Sequence, residues 1–195
     1  MNDKHPTRST LRLAPAPGTS PDDAEDLASR LATAPGLVRA GAAHWDNERT
    51  PLQPLSLENA FADPELLRDL GTRGARFAHE LGVDVVVGAE TAGVPLAASI
   101  ALAAGIRFAF VRKPGYRGHE DHEPSVRGAA VAGKRVLLVD DAIWTGALVG
   151  RFAGELVEAG AEVAGVFTLV DMRDVAPTVT SVAAALRTES VASYL

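Results

Sequence analysis

Between Val83 and Val170 the chain alternates short, unbroken apolar runs with stretches whose apolar residues recur at helical spacing, and this alternation restricts the fold more than any other feature. Val83 to Val87, Ile106 to Val111, Arg135 to Val139 and Glu162 to Val170 read as strands, and Val94 to Ala104 and Leu148 to Ala159 as helices. Runs such as Val85-Val86-Val87 and Val136-Leu137-Leu138-Val139 have no polar side, so both faces of their sheet must be covered. The pattern predicts an α/β fold, a parallel twisted sheet flanked by helices. Ligands of such sheets bind beyond the carboxyl ends of the strands, so the chemistry is expected in the loops after Val87, Val111, Val139 and Val170.

Upstream, Asp63-Pro64-Glu65 is a helix start, with an Asp cap, a proline at the first helical position and an acid near the positive helix end. Leu66, Leu70, Phe77 and Leu81 then fall on one face, and Gly82 ends the helix. Asp22 to Ala34 predicts a second, shorter helix. Residues 1–21, rich in Pro, Ser, Thr and Ala without periodicity, are expected to be a flexible tail ahead of a single domain over 22–195.

Composition removes several classes of function. A net charge of -6 argues against a chain whose main task is holding nucleic acid or an anionic membrane, each of which needs a basic face. The absence of cysteine excludes disulfides, thiolate nucleophiles and iron–sulfur clusters. No run approaches the roughly 18 apolar residues of a membrane span, and Met1 to Pro21 lacks the apolar centre of a signal peptide, so a cytoplasmic protein is expected.

The third loop carries the strongest signal. Lys134 to Val139 is an apolar strand that ends on Asp140-Asp141, and Ala142-Ile143-Trp144-Thr145-Gly146 turns into the helix from Leu148. Two carboxylates at a strand end call for hydroxyls, a metal or a cation, because burying either one unpaired costs several kcal/mol. The N–H groups at the helix start behind them suit a phosphate. Gly128 to Lys134 has the GxxxxGK spacing of a nucleotide-binding loop, but Arg135 replaces the hydroxyl residue and a strand follows instead of a helix.

The segment Val136 to Leu148 resembles the binding signature for 5-phosphoribosyl 1-pyrophosphate (PRPP) of type I phosphoribosyltransferases. The resemblance implies that Asp140 and Asp141 hold the ribose hydroxyls. The turn Trp144, Thr145, Gly146, Ala147 and Leu148 would hold the 5-phosphate, with Ala142 and Ile143 before it also implied as substrate-binding, and with Trp144 and Leu148 standing where small or hydroxyl residues are usual. Gly88-Ala89-Glu90-Thr91-Ala92-Gly93-Val94-Pro95 is similar to the pyrophosphate loop of the family, especially its orotate branch. That similarity implies substrate contact by Ala89, Glu90, Thr91, Ala92 and Gly93. Arg112-Lys113-Pro114-Gly115 looks like the adenine branch, and Arg112 and Lys113 are implied as the cations that meet the PRPP phosphates. Beyond them about twenty residues without secondary structure, to Lys134, form a candidate lid carrying Tyr116, Arg117 and His119. A solvated strand end and an ordinary surface loop are the plain alternatives for these two segments. Arg173, after Asp171, is the candidate for base recognition by the same resemblance.

The resemblance further implies a core over residues 83–173, a small hood from 35–62 and the C-terminal segment, and a homodimer. The reaction implied is displacement of pyrophosphate at C1 of PRPP by a ring nitrogen of orotate or another pyrimidine-like or purine base. Magnesium would be carried by PRPP, with no metal ligands dedicated by the protein. Two alternatives stay open: a catalytically weak PRPP- or nucleotide-binding regulator on the same fold, and a tailoring transferase with an unusual acceptor.

Overall fold

The computed structural model describes residues 13–15, 21–35, 44–45, 48–49, 56–113, 125–173 and 188–194. The unbroken apolar runs become the inner strands of one sheet: β4 (Val85–Ala89), β5 (Arg107–Val111), β7 (Arg135–Ile143) and β8 (Glu162–Asp171). The chain also forms β1 (Leu13–Pro15), α1 (Pro21–Thr33), the small hairpin β2 (His44–Trp45) and β3 (Glu48–Arg49), and a 3-10 helix (Leu57–Ala62). The remaining elements are α2 (Pro64–Glu80), α3 (Gly93–Ala104), β6 (Val126–Gly128), α4 (Ala147–Glu158) and β9 (Thr188–Tyr194).

The main sheet has the order β1-β9-β8-β7-β4-β5-β6. Its five central strands are parallel, and β1 and β6 close the two edges in antiparallel sense. One face is covered by Leu66, Leu70 and Phe77 of α2 and Leu96 and Ile100 of α3, packed on Val86, Leu137, Val139 and Phe167. On the other, Phe152 and Leu156 of α4 pack on Val85, Val87, Leu138 and Val166. Alternate residues of each inner strand thus feed two apolar layers, which is why these strands carry no polar side. From β4 the chain leaves through α3 to β5 and returns to lay β7 on the other flank of β4. The crevice of such a sheet opens where the strand order reverses, here at the carboxyl ends of β4 and β7.

α2 begins as the sequence requires. The Asp63 carboxylate accepts hydrogen bonds from the N–H groups of Glu65 (2.9 Å) and Leu66 (3.1 Å), and Pro64 occupies the first turn. Replacing this cap by Ala is expected to cost about 1 kcal/mol, read as a lower urea midpoint with an unchanged slope. The apolar stripe of α2 contains one residue that periodicity passes over. Arg73 lies between Leu70 and Phe77, is buried, and donates from Nη2 to the Ser190 carbonyl of β9 at 3.1 Å. Against α3 the helix is planed down: a Cβ on Gly71 would stand 2.2 Å from Ser99 Oγ, and one on Gly74 2.4 Å from Ile100 Cδ1.

Four expectations are corrected. Strand β4 starts and ends two residues later than the apolar run suggested, at Val85 and Ala89. β7 does not stop at Val139 but runs to Ile143, because β8 pairs with the extension through Thr168, Val170 and Asp171. The stretch between Lys113 and Lys134 is not wholly without secondary structure: Val126–Gly128 pairs with Ala109–Val111 as an edge strand. Within the segment expected to be a tail, Leu13–Pro15 pairs with β9. In each case a partner strand supplies hydrogen bonds that local periodicity does not reveal.

Candidate functional site

Because β7 runs on to Ile143, Asp140 and Asp141 lie in the strand itself and are not part of the turn. Asp140 is only 6% exposed. Its Oδ1 accepts from the Asp141 N–H at 3.0 Å, and Asp141 Oδ1 accepts from the Ala142 N–H at 2.9 Å. Burial, and then the charge of Asp141, push the Asp140 carboxyl well above the usual carboxylate range, while Lys113 pulls it the other way. Burial is also the main reason the Asp141 carboxyl is raised, with the charge of Glu58 adding to it. Two acids held in this state favour a ligand that brings hydroxyl donors or positive charge.

The turn that follows is Trp144-Thr145-Gly146. Gly146 has φ 84°, a left-handed conformation in which a Cβ is strained, and it brings no capping side chain to α4. Gly146 itself therefore leaves the start of α4 without a cap that would keep an anion away. Thr145 Oγ1 accepts from the Ala147 N–H at 3.2 Å. Trp144 is half-buried and packs against the apolar layer of α2 and α3, whereas Leu148 is exposed at the helix start.

Across the crevice, the loop after β4 lies against this strand. A Cβ on Gly93 would stand 2.4 Å from the Val139 carbonyl oxygen and 3.0 Å from Asp140 Cα, so only glycine lets α3 begin where it does. Gly88 plays the matching part on β4, where a Cβ would come within 2.7 Å of Val94 Cα. The Glu90–Thr91 peptide is cis. The loop is tied to the end of β5: the Glu90 N–H donates to Val111 O at 3.0 Å, and Glu90 Oε2 accepts from the Lys113 N–H at 2.8 Å. Arg112 donates its N–H to Ser125 O at 2.9 Å, which continues the β5–β6 pairing.

At the end of β8, Arg173 is locked onto Asp171. Nε lies 3.0 and 3.1 Å from the two carboxylate oxygens, Nη2 lies 2.6 Å from Oδ2, and both side chains are mostly covered. Asp171 is paired in register with Ile143, which sets this clamp beside the turn after the acid pair.

The residues singled out in the sequence therefore converge from four strand ends. Asp140, Asp141, Gly93 and Lys113 share one neighbourhood, and Glu90 joins two of the loops. Ala89 and Ile143 are buried, so they can offer a ligand only backbone. Tyr116, Arg117 and His119, and most of the proposed lid, lie outside the described residues. Sequence reasoning missed Glu58, which the 3-10 helix brings near Asp141. It also missed Asp171 as the holder of Arg173. An Asp-X-Arg spacing at a strand end could have signalled the second; nothing local signals the first.

The family described as "Phosphoribosyl transferase domain" matches residues 71–187, more than half of the chain. The chain belongs to this family. As a phosphoribosyltransferase it is a PRPP-dependent, glycosyltransferase-type enzyme. Among its relatives, a hypoxanthine/guanine phosphoribosyltransferase of Methanococcus maripaludis is 29% identical over 156 residues, covering 74% of this chain and 80% of that one. An orotate phosphoribosyltransferase of Pyrococcus furiosus is 34% identical over 122 residues, 62% of this chain and 66% of that one. The orotate phosphoribosyltransferase of Mycobacterium tuberculosis, solved with inorganic phosphate, superposes with a TM-score of 0.66 at 26% identity, covering 89% and 96% of the two chains. Its complex with PRPP superposes at 0.63 and 23% identity over 90% and 91%. The expected α/β sheet is thus that of the type I phosphoribosyltransferases. Purine and pyrimidine enzymes both stand among the relatives of this phosphoribosyltransferase. Among the described residues no helix is long and apolar enough to cross a membrane.

Proposed function

We propose that this phosphoribosyltransferase transfers the 5-phosphoribosyl group of PRPP to a ring nitrogen of a nucleobase, with orotate as the leading acceptor. The observation that carries the reading is the pair of the buried Asp140 and the half-buried Asp141 near the end of β7, followed by the left-handed Gly146 and the start of α4. The carboxylates bind the two ribose hydroxyls, and the N–H groups from Gly146 onward receive the 5-phosphate. The Glu90–Gly93 loop, Arg112 and Lys113 face the pyrophosphate. Arg173, fixed by Asp171, reads the base.

In the reaction the C1–oxygen bond breaks, its electron pair leaves with pyrophosphate, the nitrogen lone pair of the base forms the new C1–N bond, and the proton of that ring N–H is given up to the departing pyrophosphate or to water. The developing positive charge on the ribose is favoured by Asp140 and Asp141, and the departing anion by Arg112 and Lys113. Carboxylate oxygens are the donors that magnesium accepts, so the acid pair fits a divalent ion arriving with PRPP, which would supply charge neutralisation at the pyrophosphate. The Gly93-Val94-Pro95 context puts orotate ahead of the purines. A tailoring transferase with another acceptor is the second reading. It is favoured by Trp144 and Leu148, which leave Thr145 as the one hydroxyl of the turn, already engaged by the Ala147 N–H.

The proposal is tested by pyrophosphate release from PRPP and magnesium with orotate, adenine, hypoxanthine and guanine supplied one at a time. Release with orotate is expected. Release with a purine alone would replace the acceptor, and PRPP binding in calorimetry without release from any of the four would favour the unusual acceptor.

A further inference from the structure

The loop from Gly88 to Pro95 contains one charged residue, and it is an acid, Glu90. A carboxylate is an odd choice in a loop that faces a pyrophosphate, since its charge repels the ligand. The geometry gives it another use. Oε2 of Glu90 takes the Lys113 N–H at 2.8 Å, just where β5 has ended, while the Glu90 N–H holds Val111 O at 3.0 Å. The two bonds lie on either side of Arg112, so the backbone of the Arg112-Lys113 pair is stapled to the loop on the far side of the phosphate site. Lys113 itself is exposed, and its charge is felt at Asp140. The β4–β5 pairing ends at Val111, and beyond it the Glu90 carboxylate holds the Lys113 amide to the loop after β4.

We infer that Glu90 is a positioning residue for PRPP, its carboxylate holding the Lys113 amide so that the basic end of β5 and the loop after β4 present one anion site. The inference rests on the reading of that loop as the pyrophosphate side of the site. Glu90 touches no reacting atom in this role. What matters is the acceptor oxygen, which Gln also supplies, and not the negative charge. Losing the oxygen removes a hydrogen bond to an ionised acceptor.

Two substitutions separate acceptor from charge. Calorimetry with PRPP and magnesium is expected to show Glu90→Ala binding on the order of tenfold more weakly than the unaltered protein, and Glu90→Gln within about threefold of it. Amide hydrogen exchange gives a second readout: the Lys113 N–H is expected to be protected in the unaltered protein and in Glu90→Gln, and to exchange freely in Glu90→Ala. Equal PRPP affinity of Glu90→Ala and the unaltered protein would overturn the inference, as would a Glu90→Gln protein as impaired as Glu90→Ala. Failure of the unaltered protein to bind PRPP would instead overturn the PRPP reading, and the exchange of the Lys113 amide would still decide whether the staple exists.

Discussion

Changing Asp140 to Asn is expected to make the ligand-free protein more stable and the enzyme nearly inactive. The carboxyl is 6% exposed beside a second acid, and burial together with the Asp141 charge raises its pKa. Burial therefore works against the ionised form of this carboxyl, and Asn removes that cost while keeping an oxygen for the Asp141 N–H. A gain on the order of 1–2 kcal/mol is expected, or a melting midpoint higher by several degrees in a chain of this size. Turnover should fall by about 10²–10³, the typical loss when one group that stabilises a transition-state charge is removed. Calorimetric melting and pyrophosphate release on the same preparation check both halves. A protein that loses activity and stability together would show that Asp140 is a structural acid.

The pH dependence of that stability follows from the direction of the shift. An acid whose pKa is raised on folding holds its proton more tightly in the native state than in the unfolded chain. Its stabilising contribution is complete below the ordinary carboxylate value and is lost as pH rises from there through the raised one. The advantage of Asp140→Asn over the unaltered protein should therefore grow as pH rises from the ordinary carboxylate range through the raised value, and shrink as pH falls back toward that range. An advantage independent of pH would mean that the carboxyl is not carrying the cost.

Gly93→Ala is expected to have a large effect for a single methyl group. Its Cβ would stand 2.4 Å from the Val139 carbonyl oxygen and 3.0 Å from Asp140 Cα, and both are backbone atoms of the central strand. No side chain can swing aside, so α3 or β7 must move. Overpacking of this kind costs about 1–3 kcal/mol or more, which lowers the melting midpoint by roughly 3–10 °C. The displaced strand carries the acid pair, so PRPP affinity should fall with it. Gly154→Ala in α4 is the control: nothing stands within 4 Å of its Cβ, and there the change is expected to stabilise by about 0.5–1 kcal/mol. If Gly93→Ala melted and bound PRPP like the unaltered protein, the close packing of the loop on β7 would be refuted.

Much of this was legible in the chain. The unbroken runs around Val86 and Leu137 announced a sheet covered on both faces, and Asp63-Pro64 announced the start of α2. The acid pair before a glycine turn pointed to a sugar phosphate. What stayed hidden was set by partners distant in sequence. The strand Thr188–Tyr194 has too many polar residues for its pattern to be read, and it is a strand because β8 lies beside it. β7 outruns its apolar run for the same reason. The burial of Arg73 has no signal in its own helix, because the carbonyl it donates to belongs to β9.

The residue types along the chain predicted, without help, the layered sheet, and pointed to its strand ends and to the pair Asp140–Asp141 as the place for the chemistry, because periodicity and charge are local properties. The tertiary structure alone decided that the pair lies within a strand with Asp140 buried, that Gly93 packs against it, that Glu90 reaches the Lys113 amide and that Asp171 holds Arg173. Those are relations between segments far apart in sequence, fixed only once the strands have chosen their neighbours.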